Sequence, residues 1–155
     1  MASLILEPDR RERDITAAER TPIISRVDRD RLTPLLVGDA TEARARLRKL
    51  LERARVVEPR AIPGDVVTMR SRVVLRGPVD DGPDEFCLRY PEDARDVDGD
   101  GDQDLETLLV TSPLGAAVLA ARPGDVITYP GARSSRTTVL EAIVFQPERA
   151  GQWTL

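Results

Sequence analysis

The hydrophobic period of this chain changes once, and that change limits what it can fold into. Up to Arg55 the apolar residues Ala43, Leu47, Leu50, Leu51 and Ala54 recur at three- and four-residue steps, which marks one face of an amphipathic helix. After "EPRAIPGD", punctuated by Pro59, Pro63 and Gly64, the apolar residues alternate instead, as half-buried strands require. The expected fold class is α+β, a helical unit followed by a sheet.

The helical unit is expected over 22–58. Ser25 is placed to cap a first helix through Val27 and Leu32, but Pro34 lacks the backbone donor a continuing helix needs. That helix is therefore short, kinked, or restarted with Thr33 as cap and Pro34 as its first residue. Across the turn "VGDATE", Asp39 and Glu42 stand three apart at the start of the second helix, so the two helices read as a small antiparallel hairpin. From Thr41 to Arg55 the second helix reaches only about 22 Å at roughly 1.5 Å per residue.

Over 59–155 the pattern predicts an antiparallel sheet carrying one small helix. "VVTMRSRVVLR" (66–76) reads as one bent strand or two short ones, and "EFCLRYP" puts Phe86, Leu88 and Tyr90 on one face. "LETLLVT", "VITYP" and "RTTVLEAIVFQ" supply further strands, while "SPLGAAVLAARPGD" is a short apolar helix begun through Pro113 and closed before Pro123-Gly124. No internal repeat is visible. Residues 1–21, which include "PDRRERDITAAER", are dense in charge without an apolar face and are expected to form a mobile tail.

Composition excludes whole classes of function. The 155 residues hold no histidine, which removes Ser-His and Cys-His catalysis and His-ligated metals. The single Cys87 supplies neither an intramolecular disulfide nor a cysteine-rich zinc site. No apolar run approaches a membrane span, so a cytoplasmic protein with no membrane partner is expected. With 23 Lys+Arg against 27 Asp+Glu the net charge is −4, unlike that of a protein that coats nucleic acid. The charge is bipolar: Arg44, Arg46, Arg48, Lys49, Arg53 and Arg55 crowd the second helix, whereas acids dominate from Asp80 to Glu106.

Several blocks in order, "PGDVVTMRSRVVLR", "RYPEDA", "VTSPLGAAVLAARPGDVITY" and "VLEAIVFQPERAGQWTL", resemble the Gre-type family of transcription elongation factors and their relatives, over residues 21–155. The resemblance implies a short N-terminal helical hairpin, an antiparallel coiled coil, joined to an FKBP-like C-terminal domain. It also implies docking on RNA polymerase core enzyme near the secondary channel. The fold name suggests peptidyl-prolyl isomerase activity, but Phe86, Tyr90, Tyr129, Phe145 and Trp153 are too few to line such a pocket and also fill a core. No enzyme activity is expected.

The resemblance gives two sets of candidate residues, and the charge pattern a third. Gre factors hold a second magnesium at the hairpin tip so that the polymerase hydrolyses backtracked RNA, and Asp39 and Glu42 resemble that acidic pair. The competing reading is a capping box in which Asp39 caps the helix and Glu42 reaches back. Capping is favoured, because a hairpin this short would not bring a carboxylate within the ~2 Å that magnesium coordination needs. Binding in competition with Gre factors, without cleavage stimulation, is therefore expected. A true cleavage cofactor using Asp39 and Glu42 is the alternative. The second set is Ser112, Pro113, Leu114 and Gly115, where the resemblance implies a polymerase contact and the residue types also suit a helix cap, first turn and core position. The third is Arg44, Arg48 and Arg55, able to meet RNA or an acidic surface but more simply read as a solvated face. No aromatic interleaves with them, so sequence-specific nucleic-acid recognition is not expected. Trp153 is expected to pack, and the chain is expected to be a monomer.

"DVDGDGDQDLET" (96–107) places Asp96, Asp98, Asp100, Asp102 and Asp104 at every second position. Counting from Asp96 as an EF-hand loop, Gly101 falls correctly, but the twelfth position is Thr107 and Glu106 comes one step early. Without the terminal bidentate ligand and flanking helices, a weak divalent cation is the one cofactor considered. A metal-responsive binding module is the remaining alternative function.

Overall fold

A computed structural model describes residues 20–38, 41–77, 83–93 and 106–152. The expected mobile tail up to residue 19, Asp39, the aspartates Asp96, Asp98, Asp100, Asp102 and Asp104, and Trp153 lie outside them.

A short strand β1 (Ile23–Ser25) runs directly into α1 (Arg26–Leu32). Ser25 ends the strand and caps the helix, its hydroxyl accepting from the Asp28 amide at 3.0 Å. Pro34 stops the α-helix as expected, and a 3-10 turn (Thr33–Leu36) begins with that proline in its first turn. The second helix, α2 (Glu42–Arg53), is capped by Thr41, whose hydroxyl accepts from the Arg44 amide at 3.1 Å. The cap expected at Asp39 is thus corrected: the threonine next to the helix fills the role, because a cap must lie within reach of the N2 or N3 amide.

Arg55 is a second correction. It belongs not to the basic helix but to strand β2 (Arg55–Val57), which pairs in parallel with β1, Ile23 opposite Arg55 and Ser25 opposite Val57. This two-stranded sheet closes the base of the helical segment.

A five-stranded sheet follows in the order β5-β4-β3-β7-β6. Its strands are β3 (Arg72–Arg76), β4 (Pro83–Arg89), β5 (Glu106–Leu109), β6 (Val126–Pro130) and β7 (Ser135–Phe145). Three pairings are antiparallel, but β4 and β5 pair in parallel, with Phe86 opposite Glu106 and Arg89 opposite Leu109. The wholly antiparallel sheet expected from the alternation is therefore a mixed one, since alternation reports which face is buried and not strand direction. The eleven-residue β7 pairs with β6 along its first half and β3 along its second. Register shifts beside Val73 and Leu75 bend it around the core.

The alternation in 66–76 yields a strand only from Arg72. Before it the chain turns at Arg70, whose φ of 65° is left-handed, and Ser71 closes the turn by accepting from the Thr68 amide at 3.0 Å. The small helix α3 (Pro113–Val118) lies against β5 and β6. Leu32 and Leu47 from the helices share one buried cluster with Val73, Leu88 and Leu140 from the sheet and Val118 from α3. One core therefore serves both halves of the chain.

Candidate functional site

Helix α2 and the "SPLG" turn meet. Glu42, Ala43, Ala45, Arg46 and Lys49 of α2 line an open groove of about 360 Å³ opposite Pro113 and Pro130. Two sequence-predicted residues from different sets, Glu42 and Pro113, are thus brought to one surface feature.

The Ser112 turn is built for rigidity. Its hydroxyl donates to the Leu109 carbonyl at 2.6 Å and accepts from the Gly115 amide at 3.1 Å, so both hydrogen-bonding roles are used within the fold. Pro113 stands exposed, Leu114 packs on the core, and Gly115 is buried. Gly115 sits so close to the Leu109 carbonyl that a Cβ would overlap it. Of the four, Pro113 is the one that presents itself outward on a fixed backbone.

The basic helix divides by role. Arg44 Nε donates to the Leu35 carbonyl and Arg48 Nη2 to the Leu36 carbonyl, both at 3.0 Å. These two arginines staple the 3-10 turn onto α2, satisfying carbonyls that a 3-10 end leaves open. Arg46, which was not in the predicted set, reaches across to the Thr128 carbonyl at 2.9 Å, and its partial burial lowers its pKa. Just past the 3-10 turn, Val37 is 81% exposed.

A further polar centre lies where the helical segment meets the sheet, and sequence reasoning did not find it. Asp28 is 5% exposed, and its carboxylate accepts from the Met69 amide at 3.2 Å and the Tyr90 hydroxyl at 3.0 Å. Burial raises its pKa against those hydrogen bonds, and burial beside Asp28 pushes the Tyr90 phenol upward. The Arg31 guanidinium lies 4.2 Å from the Tyr90 ring centroid, and Arg70 forms a bidentate pair with Asp93 at 2.9 and 3.0 Å. Nearby, Glu148 accepts from the Thr68 hydroxyl at 2.7 Å and burial raises its pKa too. A cavity of about 10 Å³ between Asp28, Tyr90 and Glu148 has room for no more than a water, so this centre is a junction and not a ligand pocket. One signal was present in the sequence: "SRVD" (25–28) has the spacing of a capping box, yet its acid is diverted to the sheet.

Among the described residues no three Asp, Glu or Cys side chains converge as metal ligands. Nor is any helix among them long and apolar enough to cross a membrane.

No family model matches the chain. The regulator of nucleoside diphosphate kinase of Escherichia coli (strain K12) is 35% identical over 146 residues, covering 87% of this chain and 97% of that protein. The protein of the same name from Shigella flexneri matches to the same extent. Among solved structures, the prokaryotic transcription elongation factor GreA/GreB from Nitrosomonas europaea has a TM-score of 0.64 at 29% identity, covering 81% of this chain and 99% of its own. These likenesses bear out the resemblance to Gre-type factors.

Proposed function

We propose a function from one premise: the chain belongs to the family of the regulator of nucleoside diphosphate kinase. It is a transcription regulator that binds RNA polymerase core enzyme near the secondary channel. There it competes with Gre factors and does not stimulate transcript cleavage. In this reading the sheet with α3 is an FKBP-like domain, and the α1–α2 segment is a short coiled-coil hairpin. The protein works as a cytoplasmic monomer.

The observation that carries the reading is the placement of Glu42 in the same groove as Pro113. A helix of twelve residues spans about 18 Å, and its acidic end lies beside the sheet, not far beyond it. If Pro113 touches the polymerase, Glu42 stays at the docking surface, too far back to serve a metal that demands ligands at ~2 Å. Binding and cleavage are thereby separated, as competition without catalysis requires.

The test is binding to purified core polymerase with a Gre-type factor as competitor, followed by a transcript-cleavage assay on backtracked complexes. Mutually exclusive binding, weakened about tenfold by Pro113→Asp and indifferent to chelator, with no cleavage, is expected. Cleavage lost on Glu42→Gln would establish the cofactor alternative. Binding that a chelator abolishes would move the function to the acidic loop 96–107.

A further inference from the structure

We infer that the outer edge of β6 is a strand-addition site for an acidic, extended segment of a partner protein. β6 is the last strand of the five-stranded sheet. In an antiparallel pair alternate residues direct their amide and carbonyl at the neighbouring strand. Leu140 N donates to the Asp125 carbonyl and Gly131 N to the Ser134 carbonyl, both at 3.0 Å. Counting between those two points, Ile127 and Tyr129 face β7, opposite Thr138 and Arg136, and Val126 and Thr128 turn their backbone groups outward. The Arg46 guanidinium bonded to the Thr128 carbonyl approaches from that outer side.

Beyond the edge lies a groove of about 390 Å³, between β6 and α2 and floored by α3 alanines. That volume is within the range of about 300–1,000 Å³ typical of small-ligand sites. Exposed edges are ordinarily blunted by charge or proline. Here Pro130 and Arg46 guard one end of the strand, while Val126 is left 61% exposed at the other. An added strand would lie about 4.8 Å from β6 and bond the outward Val126 and Thr128 amides.

The charge of the groove selects the occupant. Arg46, Lys49 and Arg53 line its α2 side. The acid among the lining residues, Asp125, is engaged by Arg20 through two bonds at 2.9 and 3.0 Å. An extended segment with alternating acidic and apolar residues would place carboxylates toward α2 and apolar side chains on the alanine floor. A second copy of this chain, paired edge to edge, would instead bring like charges together.

The experiment uses the full chain, isotopically labelled, and two probe peptides of alternating glutamate or lysine with valine, five residues long and blocked at both ends. Saturable shifts and slowed exchange at the Val126 and Thr128 amides are expected with the glutamate probe, with the lysine probe at least tenfold weaker and affinity falling with salt. Val126→Pro removes an outward amide while leaving the β7 ladder intact, and Lys49→Glu reverses one wall charge; each should weaken the glutamate probe about tenfold. Equal binding of both probes, or binding untouched by both variants, would overturn the site. So would amides at Val126 and Thr128 already protected without probe, since another part of the chain or a second copy would then hold the edge. Because only the isolated chain is used, the outcome does not depend on whether the polymerase is the partner.

Discussion

Asp28 is the residue on which the most structure converges. Replacing it with alanine leaves the buried Tyr90 hydroxyl and Met69 amide without their acceptor, and the expected loss is about 3 kcal/mol of unfolding free energy, measurable by urea titration. Its charge works in the other direction. Because burial raises the folded-state pKa, the carboxyl contributes most below its unfolded pKa, about 4, and that contribution is lost as pH rises through the folded value. Glu148, also raised, follows the same sign. Asp28→Asn should therefore gain on the wild-type protein as the pH is taken from about 4.5 to 7.5; a difference that shrinks or stays flat would contradict the assignment. At Gly115 the constraint is steric. Gly115→Ala forces a Cβ against the Leu109 carbonyl, with an expected cost of about 2 kcal/mol, read as a lowered denaturant midpoint.

Among the elements, α2 is less a free basic face than a strut. Its apolar stripe was legible because Ala43 and Leu47 repeat at the helical period, and both are buried. Its arginines were not legible, because a cation on a solvated face and one bound to a carbonyl nine residues back look alike in sequence. Removing both staples, in Arg44→Ala with Arg48→Ala, should speed amide exchange through Thr33–Val37 well before β3 or β4 is affected. Thr41→Ala should cost about 1 kcal/mol of helix cap. The direction of β5 was equally hidden. The chain between β4 and β5 is long enough to return a strand either way, and a period of two is the same in both.

At the scale of the molecule, the helices and the sheet are joined by apolar and polar contacts together. Leu47 is fully buried in the shared cluster, and Leu47→Ala is expected to cost about 3 kcal/mol. The helical segment also reaches the sheet through Asp28. Unfolding followed by circular dichroism and by the NMR signals of the isotopically labelled Tyr90 ring should therefore coincide in the wild-type protein. In Asp28→Ala the dichroism should begin to fall first, as the helical segment loosens from the sheet.

Local chemistry alone shows that a helical period gives way to an alternating one, that Ser25 and Ser112 start helices, that Pro34 stops one, and which family the chain resembles. These depend on local chemistry: periodicity, a cap within three residues, a missing amide. The folded arrangement alone sets β5 parallel to β4, takes Arg55 out of the helix into a strand, and puts Glu42 in one groove with Pro113. It also decided that Asp28 meets Met69 and Tyr90 at separations of 41 and 62 residues. Such contacts arise from how elements pack, and the energy of packing depends on residues far apart in the chain, where no local pattern records the partner.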